Sequence, residues 1–152
     1  MKPVLIGLHL GFAILGIDAF LWLLGEVVAN TGSPALRTTV AALGLIGYLG
    51  CWLIGGHYYI KYYGSSIKPI IKAGNAPWAH DIVMELKEHV FLFVVPLAIV
   101  IFLLVQIDPS SNEGILLQRP LIGLCIVAAG LGLSIGLMGF IISAAARWSA
   151  RS

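Results

Sequence analysis

The chain holds four histidines, at His9, His57, His80 and His89. Their type and placement define the chemistry open to it. Imidazole is the side chain that changes charge nearest neutral pH, and it is the commonest transition-metal ligand. Each histidine lies at one end of an apolar stretch. His9 is about five residues into the first stretch, His57 about five before the end of the second, and His89 about seven into the third. At a rise of about 1.5 Å per residue, these three share a depth of roughly 8–10 Å below one surface of the molecule. His80 lies nearer that surface. Ionisable groups inside apolar spans are costly and usually face the interior with a function.

Two cofactors suit such a cluster. Haem b is held between two axial imidazoles, which makes an electron-transfer centre. Helices one and three of an up-and-down bundle are diagonal neighbours, roughly 11–14 Å apart, which leaves room for a porphyrin. His9 and His89 lie on that diagonal and are the expected axial pair. Ala13 and Gly16, at i+4 and i+7 from His9, open a groove on its deeper side. His57 then becomes a neighbouring group, a substitute ligand, or half of a second site with His80. Lys61, Lys87 and Arg147, on three helix ends, suit the haem propionates, though they also satisfy the basic bias of that side. The alternative cofactor is a single copper, zinc or iron ion held by His9, His57, His89 and Glu85, which precedes His89 by one turn. A third reading leaves the histidines bonded to backbone carbonyls or lipid headgroups, with no cofactor.

The elements that must position these residues follow from composition. Hydrophobic residues make up 59% and charged residues 11% of 152, and mean hydropathy is +0.98. Seven acids and nine bases cannot clothe a soluble domain of this size, whose ordinary charged share is about 25%. A soluble enzyme, a disordered tail and a disulfide scaffold are excluded. A net charge of +2 gives no argument for nucleic acid. The expectation is an all-α, integral membrane, four-helix up-and-down bundle forming one domain. Its helices run over about 4–28, 36–62, 78–105 and 120–147, each near the 20 residues a bilayer requires. The first span is too long for a cleaved signal peptide, so the chain is expected to begin near Met1.

Turn chemistry separates the spans. Ser33 caps the second helix and Pro34 opens it. Gly64-Ser65-Ser66 ends it. Pro77 opens the third, Pro96 sits within it, and Pro120 suits the first turn of the fourth. The segment Ser65 to Ala76 is expected to lie on the membrane surface as a short amphipathic stretch that gates the histidines. One side of the bundle carries Lys2, Lys61, Lys68, Lys72, Lys87, Arg147 and Arg151, and the other only Arg37 and Arg119. By the positive-inside rule the basic side and both termini are cytoplasmic, in a bacterial or archaeal inner membrane. Tyr58, Tyr59, Tyr62, Tyr63, Trp78 and Trp148 mark that boundary as an aromatic belt.

Other polar residues are fewer. Asp18, near the middle of helix one, either relays protons or bonds Ser134 or a backbone carbonyl. Glu26 and Gln106 lie where water reaches them. Cys51 and Cys125 differ in depth by roughly 15 Å and do not pair. Gly132, Gly136, Gly139 and Ser143 form a small-residue ridge for packing within the bundle or against a partner.

The opening Leu8-His9-Leu10-Gly11-Phe12, together with Glu85-Leu86-Lys87-Glu88-His89 after the loop on the basic side, resembles small four-helix membrane proteins of the copper-resistance D and protoporphyrinogen-oxidase J type. That resemblance covers the layout and His9. It implies haem b or copper handling in the membrane, and Gly55-Gly56-His57-Tyr58-Tyr59 departs from it. The functional expectation is a haem-b redox protein exchanging electrons with a quinone or a partner protein. The alternatives are a metal transporter or sensor, and a cofactor-free accessory subunit of a membrane complex or oligomer.

Overall fold

A computed structural model describes residues 2–150, and for Lys2 the backbone alone. Met1, Arg151, Ser152 and the Lys2 side chain, two of whose charges enter the basic count above, lie outside the described residues. The chain is helical nearly throughout. The elements are α1 (Lys2–Val28), α2 (Pro34–Tyr58), a π-helical segment (Tyr59–Ile67), α3 (Lys68–Ala73), a second π-helical segment (Ala79–Met84), α4 (Glu85–Leu104) and α5 (Asn112–Ser149). Four of the helical stretches, Pro3–Val28, Pro34–Ala73, Ala79–Leu104 and Asn112–Ser149, are long and apolar enough to cross a membrane.

The first turn is built as its residues dictate. Asn30 and Gly32 take positive φ angles of 50° and 75°, which reverse the chain, and a side chain at Gly32 would be strained there. Ser33 caps α2 by accepting from the Leu36 N–H at 3.2 Å, with Pro34 as the first helical residue. The exposed carbonyls at the end of α1 are collected by Arg37. Its guanidinium donates to the Glu26 carbonyl at 3.1 Å and to the Thr31 carbonyl at 2.8 Å, and the residue is buried. A cation at a helix C-terminus also complements the helix dipole.

Two boundaries differ from the sequence expectation. The second helix does not stop near residue 62. It passes through the Gly64-Ser65-Ser66 stretch by widening into π geometry and continues to Ala73. The fourth helix begins at Asn112, two turns before Pro120. Ser111 is its cap, accepting from the Gly114 N–H at 3.0 Å. Pro120 therefore sits inside α5, where it withholds one N–H from the ladder.

α1 packs on α2 and α5, and α4 packs on α5 and α2. α1 and α4 thus stand across the core from one another, as do α2 and α5. α1 and α2 run antiparallel and approach closely at glycines. Gly44 receives the Phe20 ring, Gly50 the Phe12 ring and Gly55 the His9 imidazole, while Gly47 lies directly on the backbone of Gly16. Phe20, Leu23, Val27, Val40, Val94 and Ile101 fill the main core. Tyr48 crosses it from α2 to α5, where its hydroxyl donates to the Ala128 carbonyl at 2.7 Å. A second core lies at the other end, where Tyr63, Ile71, Ala79, Met84, Ile142 and Ala145 join the π-helical segments and α3 to the end of α5.

Candidate functional site

The structure does not bring the histidines together. His9 is half-buried between α1 and α2. Its Nδ1 is 2.9 Å from the Cys51 carbonyl, which can only accept, so Nδ1 carries the proton and Nε2, 3.9 Å from the Cys51 sulfur, is the acceptor. The Cys51 sulfur is 3.3 Å from the same Nδ1. His89 is exposed, and its Nδ1–H donates to the Glu85 carbonyl of its own helix at 2.6 Å. His57 and Glu85 are exposed as well. Among the described residues no three His, Cys, Asp or Glu side chains gather as metal ligands.

The reason is helix rotation. α4 turns Val94, Ala98 and Ile101 to the core. Lys87 falls on that same face, one full heptad before Val94. His89 is two residues further on, about 200° around the helix, and looks outward. Across the core from His9 stands Lys87. Its ammonium group fits beside Gly139 of α5, 3.5 Å from where a side chain on that glycine would begin. It acts electrostatically on both His9 and Cys51.

A haem ligated by His9 and His89 does not fit this arrangement. The groove expected at Gly16 is the seat of the Tyr48 ring, and Ala13 is half-buried. Lys61 is exposed, and Arg147 is exposed with its guanidinium bonded to Ser143 at 3.0 Å, so neither joins Lys87 in a common anchor. Asp18 is exposed too. Ser134, its expected partner, donates to the Gly130 carbonyl of its own helix at 2.8 Å. Glu26 is tied to Trp22 and Thr31 by 3.0 Å hydrogen bonds. Cys51 and Cys125 are both buried free thiols.

The structure gathers a different set. Starting from His9 and Cys51, titratable side chains continue through Lys87 to Glu88. One carboxyl oxygen of Glu88 is buried without a hydrogen-bond partner among the described residues, and the Tyr59 phenol lies beside that carboxyl. Tyr59 stacks on Tyr63, ring centroids 5.2 Å apart. Tyr63 shares a 3.1 Å hydrogen bond with His80 Nδ1, and both are buried. Tyr63 thus belongs to the interior, with Tyr59 half-buried against it, whereas Trp78 and Trp148 do stand exposed. Tyr59, Tyr63 and His80 all lie on the two π-helical segments, a geometry that recurs at functional sites. The sequence signal for this set was the spacing Tyr59, Tyr63 at i, i+4, which places two phenols on one face.

Comparison with family models, with curated proteins and with solved structures finds no match for this chain.

Proposed function

We propose that the protein is an integral membrane, four-helix up-and-down bundle with its basic end in the cytoplasm, and that it handles protons through the interior row His9, Cys51, Lys87, Glu88, Tyr59, Tyr63 and His80. The row serves a redox or transport reaction carried out with a membrane carrier or a partner subunit. The membrane part rests on four apolar helices whose outer surfaces carry residues such as Leu53, Ile60, Phe93, Leu116 and Phe140, all more than half exposed. Surface of that kind is unfavourable in water over any large area. The orientation rests on the basic asymmetry.

The observation that carries the reading is the Glu88 carboxyl, beside the Tyr59 phenol, one oxygen of which is buried without a hydrogen-bond partner among the described residues. A buried polar atom left without a partner is costly, and where a native structure keeps one it calls for a function to explain it. The polar row occupies the basic half of the bundle; the opposite half is sealed by Phe20, Leu23, Val27 and Ile101.

The test is proton uptake by the protein in lipid nanodiscs on mixing with a reduced or oxidised quinone. Glu88→Gln and His80→Phe should each lower the protons bound, with helicity retained. Uptake unchanged in both variants would overturn the reading. Reporters inserted at Ser110 and after Ser152 should fall on opposite sides of the membrane, the latter inside.

A further inference from the structure

Asp18 stands in the middle of the Pro3–Val28 span. It is exposed, and it makes no hydrogen bond or ion pair with any described residue. In a bilayer this is costly for an isolated chain, because a carboxyl group facing hydrocarbon finds no hydrogen-bond partner there. The rest of its face is equally uncovered. Ile14 is 49% and Leu21 45% exposed. Side chains placed at Gly7, Gly11 or Gly25 would meet nothing within 4 Å.

These residues are evenly placed. Positions 7, 11, 14, 18, 21 and 25 recur at alternating intervals of four and three, the spacing of a left-handed coiled-coil seam. Two such helices packed in parallel bring each seam residue opposite its own copy. A neutral carboxyl carries one O–H donor and free acceptor lone pairs. It is therefore complemented by a second carboxyl at the same depth, and a twofold axis along the membrane normal supplies one. The three glycines leave the backbones free to approach.

We propose that two copies of this chain associate in the membrane through the outer face of α1, with their Asp18 carboxyls hydrogen-bonded to each other at the centre of the contact. The inference rests on the membrane part of the proposed function and is independent of the proton row.

The experiment uses the full chain in liposomes. Flotation reports insertion, and oxidative cross-linking of Ile14→Cys reports association, with Phe93→Cys on the outer face of α4 as control. Ile14→Cys should cross-link into dimers and Phe93→Cys should not. Asp18→Leu in the Ile14→Cys background should reduce the dimer at least tenfold. Asp18→Asn keeps a donor and an acceptor and should retain it. Asp18 is exposed and makes no hydrogen bond or ion pair with any described residue, so these variants should insert and fold as the parent does. A chain that floats but gives no Ile14→Cys dimer overturns the inference and leaves the proposed function standing. So does a dimer indifferent to Asp18→Leu. A chain that does not float overturns the membrane reading and the inference with it.

Discussion

The Tyr63 hydroxyl and His80 Nδ1 stand 3.1 Å apart, joining the π-helical segment that follows α2 to the one that precedes α4. Neither residue reaches solvent to any extent, at 3% and 2% exposure. Removing one partner leaves the other buried and unsatisfied, at a cost of about 1–3 kcal/mol. Tyr63→Phe and His80→Phe should each destabilise the protein by that order. Together they should cost about 1 kcal/mol less than their sum, because the double variant strands neither group. Unfolding in mixed micelles provides the measurement, and strict additivity would show that the contact contributes nothing.

Gly47 offers a sharper test of the helix packing. A Cβ there would lie 2.6 Å from the Gly16 Cα, against backbone that no rotamer change can move. Gly47→Ala should push α1 from α2 and destabilise by about 3 kcal/mol, at the upper end for overpacking. Gly56, where a side chain would meet nothing within 4 Å, is the matched control, and Gly56→Ala should leave the midpoint unchanged or raise it slightly.

The turn between α4 and α5 carries a pH dependence of known sign. The Ser110 N–H at 2.9 Å and its hydroxyl at 2.7 Å both donate to Asp108 Oδ1, and these two bonds hold the exposed Asp108 carboxyl below its ordinary value. The folded value is the lower one. The contribution is therefore full above the unfolded value of about 3.9 and is lost as pH falls through the folded value. Ser110→Ala should move the Asp108 midpoint up toward about 3.9 in a carboxyl-carbon NMR titration. A midpoint that stays put would mean that the backbone bond alone sets it.

What the sequence made legible was local. Ser33 and Pro34 announce the start of α2 by cap chemistry that needs no distant partner. The four apolar stretches announce themselves by length. What it hid was rotation. α1 and α4 are apolar on nearly every side, so no polar face records which residues turn inward. The pairing of His9 with His89 rested on depth and helix order alone. The error was angular, and Lys87 holds the position assigned to His89. The start of α5 was also misplaced, at Pro120 rather than Asn112. Ser111 caps the helix by accepting from the Gly114 N–H, and a long helix absorbs the bond that Pro120 withholds. The tyrosines around residue 60 read as a boundary belt because composition cannot separate a phenol at an interface from one that hydrogen-bonds a buried imidazole.

The described residues form two cores that share no buried residue, one around Phe20 and Ile101 and one around Tyr63 and Ile142. They are linked along α5 and through the stretch where α2 widens into π geometry. Cooperative units in proteins follow such divisions. The end built on Tyr63, Ile71 and Met84 can therefore open and close as a separate foldon while the Phe20 core stays shut. In deuterium exchange the amides of 59–84 and 140–149 should be replaced together, at one rate, ahead of those around Leu23 and Val40. Tyr63 and His80 would then meet solvent in bursts, at intervals set by the opening of that foldon.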